Sequence, residues 1–280
     1  MQNIHVHVWD ESKHFSDELK GQFSLSRGKP LPMTFPLDHY LTDMKPFDRV
    51  VVFGLKARRS GFWVPDEYVA QWVKQAPRHF VGFASNDPTQ KGHLKELRHG
   101  IEDLGLKGVK MGPMYAGFDP RDKICHGVYE YCQRHGLPIL FHTGTTFVRN
   151  APLEFTRPWL FDEVAMRYPE LRMILAHLGH PFEGECLATI RKHPHVYADI
   201  AALFYRPWQL YNMLVLAEEY RVTHKLLFGT DFPFALSRES IRGLRQVNHV
   251  IGSATLPRIS KATIDGILQR DAFSLLGIKP

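Results

Sequence analysis

Two histidines stand two positions apart in an apolar, β-branched run near the start of the sequence. His5 and His7 lie in the run IHVHVW at 4–9. Because side chains alternate along a strand, both imidazoles are expected on the same face. Neutral imidazole is a common metal ligand, so the pair could form half of a metal site. An isolated pair like this is more often ordinary polar sequence, and the case for a metal depends on the rest of the chain.

Three later apolar runs end in a residue that can bind a metal. They end at His142, His177 and Asp231, and a glycine or proline follows each within two residues. A single histidine of this kind is usually structural, but the combination with His5 and His7 favours a metal site. The set His5, His7, His142 and Asp231 lacks thiolates. It suits one divalent ion, zinc first and manganese or iron(II) as alternatives, in an open catalytic site.

The runs that these residues end belong to a series of similar apolar runs along the whole chain. The apolar, strand-like runs are Asn3–Trp9, Arg49–Gly54, Phe80–Ser85, Gly108–Gly112, Pro138–Thr143, Arg172–His177, Val196–Ala201 and Lys225–Thr230. Near-continuous apolar character is typical of parallel strands that are buried on both faces. Amphipathic stretches alternate with them: Pro65–Gln75, Lys91–Leu104, Ile124–His135, Trp159–Arg167, Glu183–Lys192, Gln209–Tyr220, Arg238–Val250 and Lys261–Leu276.

Eight strands alternating with helices predict an α/β fold, a (β/α)8 TIM barrel, as a single domain over residues 1–280. A doubly wound sheet is disfavoured, because no glycine-rich phosphate loop is present. Residues 10–47 break the rhythm, since they carry Gly21, Gly28, Pro30, Pro32 and Pro36 without a strong helical pattern. We expect a long loop insertion there, which either caps the active site or packs against the barrel wall or a partner subunit.

Composition narrows the classes of function. A net charge of +6 is spread along the chain without a basic block, which argues against nucleic acid and agrees better with a small anionic substrate. No apolar run is long enough for a membrane span, and the start of the sequence lacks the features of a signal peptide. Three cysteines without a CxxC pair predict buried free thiols and a reducing, cytoplasmic location.

Seven segments together resemble one family over essentially the whole chain. They are HVH at 5–7, RHFVGFASNDP at 78–88, GLKGVKMGP at 105–113, LPILFHTG at 137–144, RPWLFDEVAMRYPELRMILAHLG at 157–179, VYADIAA at 196–202 and LLFGTDFPF at 226–234. The sequence is similar to the amidohydrolase superfamily, in its amidohydrolase-related (amidohydrolase 2) branch. That branch includes aminocarboxymuconate-semialdehyde and resorcylate-type decarboxylases beside metal-dependent hydrolases. The resemblance implies the barrel fold.

The resemblance also implies roles for individual residues. His5, His7, His142 and Asp231 would be the metal ligands. His177 would act beside the metal as acid or base, together with Asp231. Lys110 lies where other branches carry a carboxylated lysine, but the single-metal context favours a lysine that pairs with a pocket carboxylate or the substrate. His180 is a departure that is equally consistent with a substrate contact and with a loop histidine.

The expected activity is hydrolysis of a small cyclic or aromatic carboxylate-bearing ester, lactone or amide by a metal-activated water. Non-oxidative decarboxylation of an aromatic or enoic acid is the alternative, and a metal-free lactonase is a second. The candidate substrate contacts lie after the strands or in the loops: Trp9, Lys110, Arg149, Arg157, His180 and Arg206. A nuclease or a non-catalytic barrel is disfavoured. A homodimer is left open.

Overall fold

The computed structural model describes residues 1–26, 32–252 and 255–278. Eight parallel strands form one sheet in sequential order, with helices between them, and this confirms the predicted TIM barrel. The barrel strands are β1 (Gln2–His7), β2 (Arg49–Phe53), β3 (Phe80–Ser85), β4 (Val109–Met111), β5 (Ile139–Phe141), β6 (Met173–Leu175), β7 (Val196–Asp199) and β8 (Leu226–Leu227). β2 to β8 each lie inside a run that the sequence predicts to be a strand, and β1 begins one residue before its predicted run.

The barrel closes where β8 and the residues after it meet β1. The Ile4 amide donates to the Phe228 carbonyl oxygen at 3.0 Å, and the Asp231 amide donates to the His5 carbonyl oxygen at 2.9 Å. The His7 amide donates to the Phe232 carbonyl oxygen, also at 2.9 Å. This backbone seam brings the two histidines of the first strand beside the aspartate that follows the last strand.

Each of the eight predicted stretches overlaps with a helix, and the structure adds helices that the sequence does not predict, among them Pro113–Ala116. The helices are α1 (Glu11–His14), α2 (Asp17–Ser26), α3 (Leu37–Asp43), α4 (Asp66–Gln75), α5 (His93–Arg98), α6 (Pro113–Ala116), α7 (His126–His135), α8 (Leu160–Arg167), α9 (Glu183–Lys192), α10 (Pro207–Glu219), α11 (Ser237–Arg245), α12 (Lys261–Gln269) and α13 (Ala272–Leu276). The predicted helix 261–276 divides in two, because Asp271 caps a new helix by accepting from the Ser274 amide. The stretch after α5 continues as a π-helical turn at His99–Asp103.

The insertion after β1 is more regular than the sequence suggests. The predicted loop 10–47 contains α1, α2 and α3, while Gly28 and Pro30 lie outside the described residues. Two buried side chains hold the segment to the barrel: the Trp9 indole donates to the Met33 carbonyl oxygen at 2.7 Å, and the Tyr40 hydroxyl donates to the His7 carbonyl oxygen at 2.8 Å. Tertiary contacts therefore order a segment whose own helical pattern is weak.

A short antiparallel hairpin follows β2 and was not predicted. It pairs Lys56–Ala57 with Phe62–Trp63, and strands of two residues are too short to leave a periodic pattern.

Apolar side chains form an inner layer inside the barrel and an outer layer between sheet and helices. Phe273 and Leu276 of α13 belong to the inner layer and close the barrel at the amino ends of its strands. The chemistry is therefore confined to the opposite end. Cys125, Cys132 and Cys186 are buried and unpaired, as predicted. None of the described helices is long and apolar enough to cross a membrane.

Candidate active site

The carboxyl ends of the strands surround a cavity of about 550 Å³. Eight of the eleven site residues that the sequence predicts line it: His7, Trp9, Lys110, His142, His177, His180, Arg206 and Asp231. His5 lies beneath them and is fully buried. The Thr143 hydroxyl, which donates to the Ala176 carbonyl oxygen at 2.6 Å, ties the end of β5 to the end of β6.

His5 is oriented by a carboxylate that the sequence reasoning missed. Its Nδ1 lies 2.9 Å from Asp199 Oδ2, and both side chains are fully buried. Burial favours protonation of Asp199, but the neighbouring His5 outweighs it and keeps the pKa of this carboxyl below its ordinary value. An ionised carboxylate only accepts hydrogen bonds, so Nδ1 carries a proton and Nε2 is directed to the cavity side, where loss of its own proton would free a lone pair for a metal.

His177 is held in an unusual backbone conformation. Its φ of 58° is left-handed, which costs a non-glycine residue free energy and is typical of functional sites. The His177 amide donates to Asp199 Oδ1 at 2.9 Å, and its Nδ1 donates to the Ala201 carbonyl oxygen at 3.1 Å. These two bonds fix the ring, so Nε2 of His177 is a second lone pair available at the site.

Asp231 also has a left-handed backbone, with φ of 64°. Its Oδ1 lies 3.2 Å from His5 Nε2 and 3.2 Å from His7 Nε2. Oδ1 nevertheless has no hydrogen-bond partner among the described residues, and neither has His5 Nε2. Two bare acceptors this close in a buried place would be unfavourable, so a cation is expected beside both. The raised pKa of His5 shows that a proton on Nε2 can be that cation, and a metal ion could replace it.

This arrangement fits a metal ion. Nitrogen and oxygen ligands at roughly 2.0–2.1 Å from a tetrahedral ion lie about 3.3 Å apart, close to the separation of Asp231 Oδ1 from the two imidazoles. Ligand atoms of His5, His177 and Asp231 all lie within 4.8 Å of one another. His142 Nε2 is buried without a hydrogen-bond partner in the part of the chain that the structure describes, and the centroid of its ring is 5.0 Å from that of His177.

The titration behaviour of the cluster suits metal binding. Burial lowers the pKa of His7 to about 3 and that of His177 to about 4, and it moves that of His142 well below the ordinary value. These imidazoles are therefore neutral at pH 7 and able to bind a metal. Burial opposes ionisation of Asp231, but the adjacent His5 and His7 hold its pKa well below the ordinary value. In His5, Asp199 and Asp231 outweigh the effect of burial and raise the pKa.

Lys110 lies on the floor of the cavity and is 1% exposed. Its ammonium is 4.7 Å from the centroid of the Phe53 ring and has no hydrogen-bond partner among the described residues. Burial lowers its pKa to about 7. The expected pairing with a pocket carboxylate of the protein is therefore not observed, and pairing with a substrate stays open.

The wall of the cavity is largely aromatic. Trp9, Phe23, Phe62, Tyr115, Phe147, Tyr205 and Phe234 all contribute to it. The Trp9 ring stacks on His7 with centroids 4.4 Å apart. Phe23 comes from α2, so part of the predicted cap does reach the cavity. Such a wall suits a flat, ring-shaped or unsaturated molecule.

His180 and Arg206 also line the cavity. His180 Nδ1 lies 3.7 Å from Glu183 Oε1, and the His180 carbonyl oxygen accepts from the Thr145 amide at 2.7 Å. Only glycine fits at position 144, since a Cβ there would lie 2.2 Å from the same carbonyl oxygen. The Arg206 guanidinium donates to the Ala202 carbonyl oxygen at 2.9 Å and lies over the Tyr205 ring.

The structure does not bring two of the sequence candidates to the cavity. Arg157 forms an ion pair with Glu185 and lies 4.2 Å over the Phe182 ring, directed away from the metal-binding cluster. Arg149 is not in the lining, although its amide donates to Gln22 Oε1 at 2.8 Å. A position after a strand predicts the region of a loop arginine but not the direction of its side chain.

The sequence did not predict two residues of the site, Asp199 and Tyr115. Asp199 stands at the end of β7 inside VYADIAA, and a charged residue in an apolar strand was the signal that could have identified it. Tyr115 of α6 lies with its ring 4.7 Å from that of His142. Its place soon after β4 gives the same strand-end signal as the histidines, but aromatic residues are common there for packing alone.

Comparison with known families identifies the family of this chain. The family model described as amidohydrolase matches residues 3–277, almost the whole chain. The chain belongs to the amidohydrolase family. It falls in the amidohydrolase-2 branch, as the resemblance implies.

Relatives of known name include both lyases and hydrolases. The chain is 25% identical over 249 residues to a 2-amino-3-carboxymuconate-6-semialdehyde decarboxylase of Dictyostelium discoideum, a match that covers 77% of this chain and 66%, just under two thirds, of the relative. A probable 2-pyrone-4,6-dicarboxylic acid hydrolase of Acinetobacter baumannii superposes with a TM-score of 0.69 at 14% identity over 99% of each chain. A manganese-bound dihydroxybenzoic acid decarboxylase of a Polaromonas species gives 0.64 at 15% identity over 99% of this chain and 98% of its own. At these identities the structural likeness concerns the fold.

Proposed function

We propose that this amidohydrolase-family protein is a metal-dependent decarboxylase of a small, planar aromatic or enoic acid. The observation that carries the proposal is the cluster of buried ligand atoms on His5, His142 and Asp231, which have no hydrogen-bond partner among the described residues and lie beside an aromatic-walled cavity. The relative found through its sequence is a carbon–carbon lyase, and this favours decarboxylation over the hydrolysis that the sequence reasoning puts first.

The residues divide into ligands and proton carriers. One divalent ion would be held by His5, His7, His142 and Asp231. His177 would lie beside the ion or act as a further ligand. When bound, that ion would polarise a carboxylate or carbonyl and acidify water. Asp199 sets the tautomer of His5 and anchors the backbone amide of His177, whose own tautomer is set by the Ala201 carbonyl oxygen. Decarboxylation needs one proton delivered to the carbon that loses carbon dioxide. His177 Nε2 and Asp231 are both unprotonated at pH 7, so one of them would take the proton from water and pass it to that carbon.

Hydrolysis is the second candidate, and Asp231 supports it. Its Oδ1 is a carboxylate oxygen without a hydrogen-bond donor among the described residues, so it can take a proton from a water molecule. An ester, lactone or amide carbonyl would then be attacked in the same cavity. The two reactions share their residues and differ in the bond that breaks.

A paired assay separates the candidates. Purified protein is first analysed for zinc, manganese and iron, and is then incubated with hydroxylated benzoic acids on one side and aromatic lactones and esters on the other. We expect release of carbon dioxide from an acid, near-stoichiometric metal in the wild type, and loss of both in His142→Ala. Proton release from lactones without carbon dioxide would establish the hydrolase instead.

Removal of the metal provides the second arm of the assay. We expect chelated protein to lose activity and to regain it with one equivalent of zinc or manganese. Full activity after complete removal would contradict metal dependence and indicate the metal-free lactonase. A small anionic substrate, a single domain over residues 1–280, a cytoplasmic location and a homodimer complete the proposal, and they still rest on the sequence reasoning.

A further inference from the structure

Lys110 is a buried cation that the protein itself leaves without an acceptor. The side chain is 1% exposed, lines the cavity and finds no hydrogen-bond partner for Nζ among the described residues. A buried ammonium without an acceptor is costly, so such groups are usually paired. In a cavity that admits small molecules, the missing acceptor can arrive with the ligand.

The position of the ammonium relative to the metal-binding cluster is given by one shared neighbour. Lys110 Nζ lies 4.7 Å from the centroid of the Phe53 ring. The rings of His5 and His7 contact the same phenyl ring, with centroids 5.0 Å and 4.8 Å away. The free ammonium therefore lies on the cavity floor beside the metal-binding histidines rather than at the mouth.

The arginine of the lining is in a different situation. Arg206 already donates to the Ala202 carbonyl oxygen at 2.9 Å, and its guanidinium lies 4.5 Å from the centroid of the Tyr205 ring. Arg206 is also only half-buried, so water can satisfy its remaining donors. Of these two cations, Lys110 is the one that gains most from an anionic ligand.

We infer that Lys110 binds the carboxylate of the substrate at the cavity floor, so that the group held there is the group that reacts. The inference rests on the proposed function and specifies the orientation of the substrate within it: acid group downward, ring against the aromatic wall. Lys110 forms no bond to carbon. The carbon–carbon bond breaks, its electron pair takes the delivered proton, and carbon dioxide leaves.

Binding of an unreactive acid tests this orientation independently of turnover. Benzoate and its neutral isostere benzamide are titrated calorimetrically into metal-free protein and into zinc-loaded protein. The variants are Lys110→Met, Lys110→Gln and Arg206→Met, each checked for folding by circular dichroism. We expect both Lys110 variants to weaken benzoate binding about tenfold or more in metal-free protein, because a charge-assisted hydrogen bond is lost. Benzamide affinity should change less than about twofold.

Three results would overturn the inference. Benzoate affinity could stay unchanged in both Lys110 variants, or the loss could appear in Arg206→Met instead, which would put the carboxylate at the mouth. A carbon dioxide adduct on Lys110 in the intact mass, with two bound metals per chain, would make this residue a ligand. If benzoate binding depends on Lys110 but no acid is decarboxylated, the inference holds and the proposed reaction fails.

Discussion

Two buried lysines of this barrel, Lys56 in the hairpin after β2 and Lys110 within β4, have opposite surroundings. Lys56 donates to Asp66 Oδ2 at 2.8 Å and to Glu96 Oε2 at 3.1 Å. Lys110 has neither a carboxylate nor a carbonyl partner among the described residues. They are 4% and 1% exposed, so burial does not explain the difference.

One hydroxyl group, that of Ser85, forms hydrogen bonds to the backbone of both lysines. Ser85 Oγ accepts from the Lys56 amide at 2.8 Å and donates to the Lys110 carbonyl oxygen at 3.3 Å. On the Lys56 side, Asp66 also accepts from the Ser85 amide at 2.8 Å, so this region has its donors and acceptors matched. On the Lys110 side, acceptors and donors face the cavity without partners. The first region stabilises the fold, whereas the second is prepared for a ligand.

The largest effect is expected for Asp231→Asn, a change within the cavity region around Lys110. The amide cannot bind a metal as a carboxylate does and cannot take up a proton, so kcat should fall by roughly 10²–10⁴. Stability in urea should fall, because the depressed pKa of Asp231 means that the folded state favours its charge and His5 would lose a counter-charge. Asp122→Asn, at an exposed carboxylate, is the control. Unchanged turnover would remove Asp231 from the reaction.

The next largest effect is expected for Lys56→Met, which removes the cation of the buried ion pairs with Asp66 and Glu96. Removing one member of a buried ion pair leaves Asp66 uncompensated, and the free energy of unfolding should fall by about 3 kcal/mol. The exposed Lys74→Met in the neighbouring helix should change it by no more than about 0.5 kcal/mol. Urea unfolding of all three proteins measures this. A Lys56→Met protein as stable as wild type would mean that the pair does not hold the rim of the barrel.

Asp199→Asn probes the support of the metal-binding cluster. The asparagine amide group would donate to His5 Nδ1 and force the proton onto Nε2, the atom that should face the metal. We expect zinc affinity to fall about 10–100-fold. Competition with a chromophoric chelator measures the affinity, with Asp122→Asn again as the control. An affinity within threefold of wild type would show that Asp199 does not set the tautomer.

The smallest effect is expected for Lys110→Met in metal-free protein. Removing an unpartnered buried ammonium leaves no carboxylate behind, so the free energy of unfolding should rise by about 1 kcal/mol. The folded pKa of Lys110 is about 7, below the unfolded value near 10.4. The unfolded chain therefore binds more protons between these values, and wild-type stability increases with pH there.

The gain from Lys110→Met should accordingly be complete below about pH 7 and disappear towards about pH 10. Urea unfolding at several pH values measures the difference between the two proteins. A gain that is independent of pH would indicate improved packing rather than removal of a charge. Loss of stability in the variant would show that the ammonium has a partner after all, and the contrast with Lys56 would fail.

The sequence predicts the barrel well because its strands are nearly continuous apolar runs that end in glycine or proline turns. His142, His177 and Asp231 could be found because they occupy the same relative position after three such runs. Equivalent ends of parallel strands meet at one face of the barrel. Knowing that each residue follows a parallel strand of the same barrel was therefore enough to predict that these side chains lie near one another.

Other features depend on contacts that a linear pattern does not contain. The helices in residues 10–47 are ordered by Trp9 and Tyr40 binding backbone carbonyl oxygens across the fold. Asp199 acts only through its geometry with His5 and His177, so its type alone does not reveal a role. The direction of Arg157 is decided by Glu185, which lies 28 positions away.

The seam between β1 and β8 has a consequence for how the protein matures. Asn3 Nδ2 donates to Thr230 Oγ1 across 227 positions of sequence. The proposed ligands His5 and Asp231 follow these two residues closely in the sequence. Contacts of such sequence separation carry the largest loop-closure entropy and form late in folding. A chain that has not closed its barrel has no complete metal site. Acquisition of the metal would then be the final event of folding, and metal content would report the fraction of molecules that have completed it.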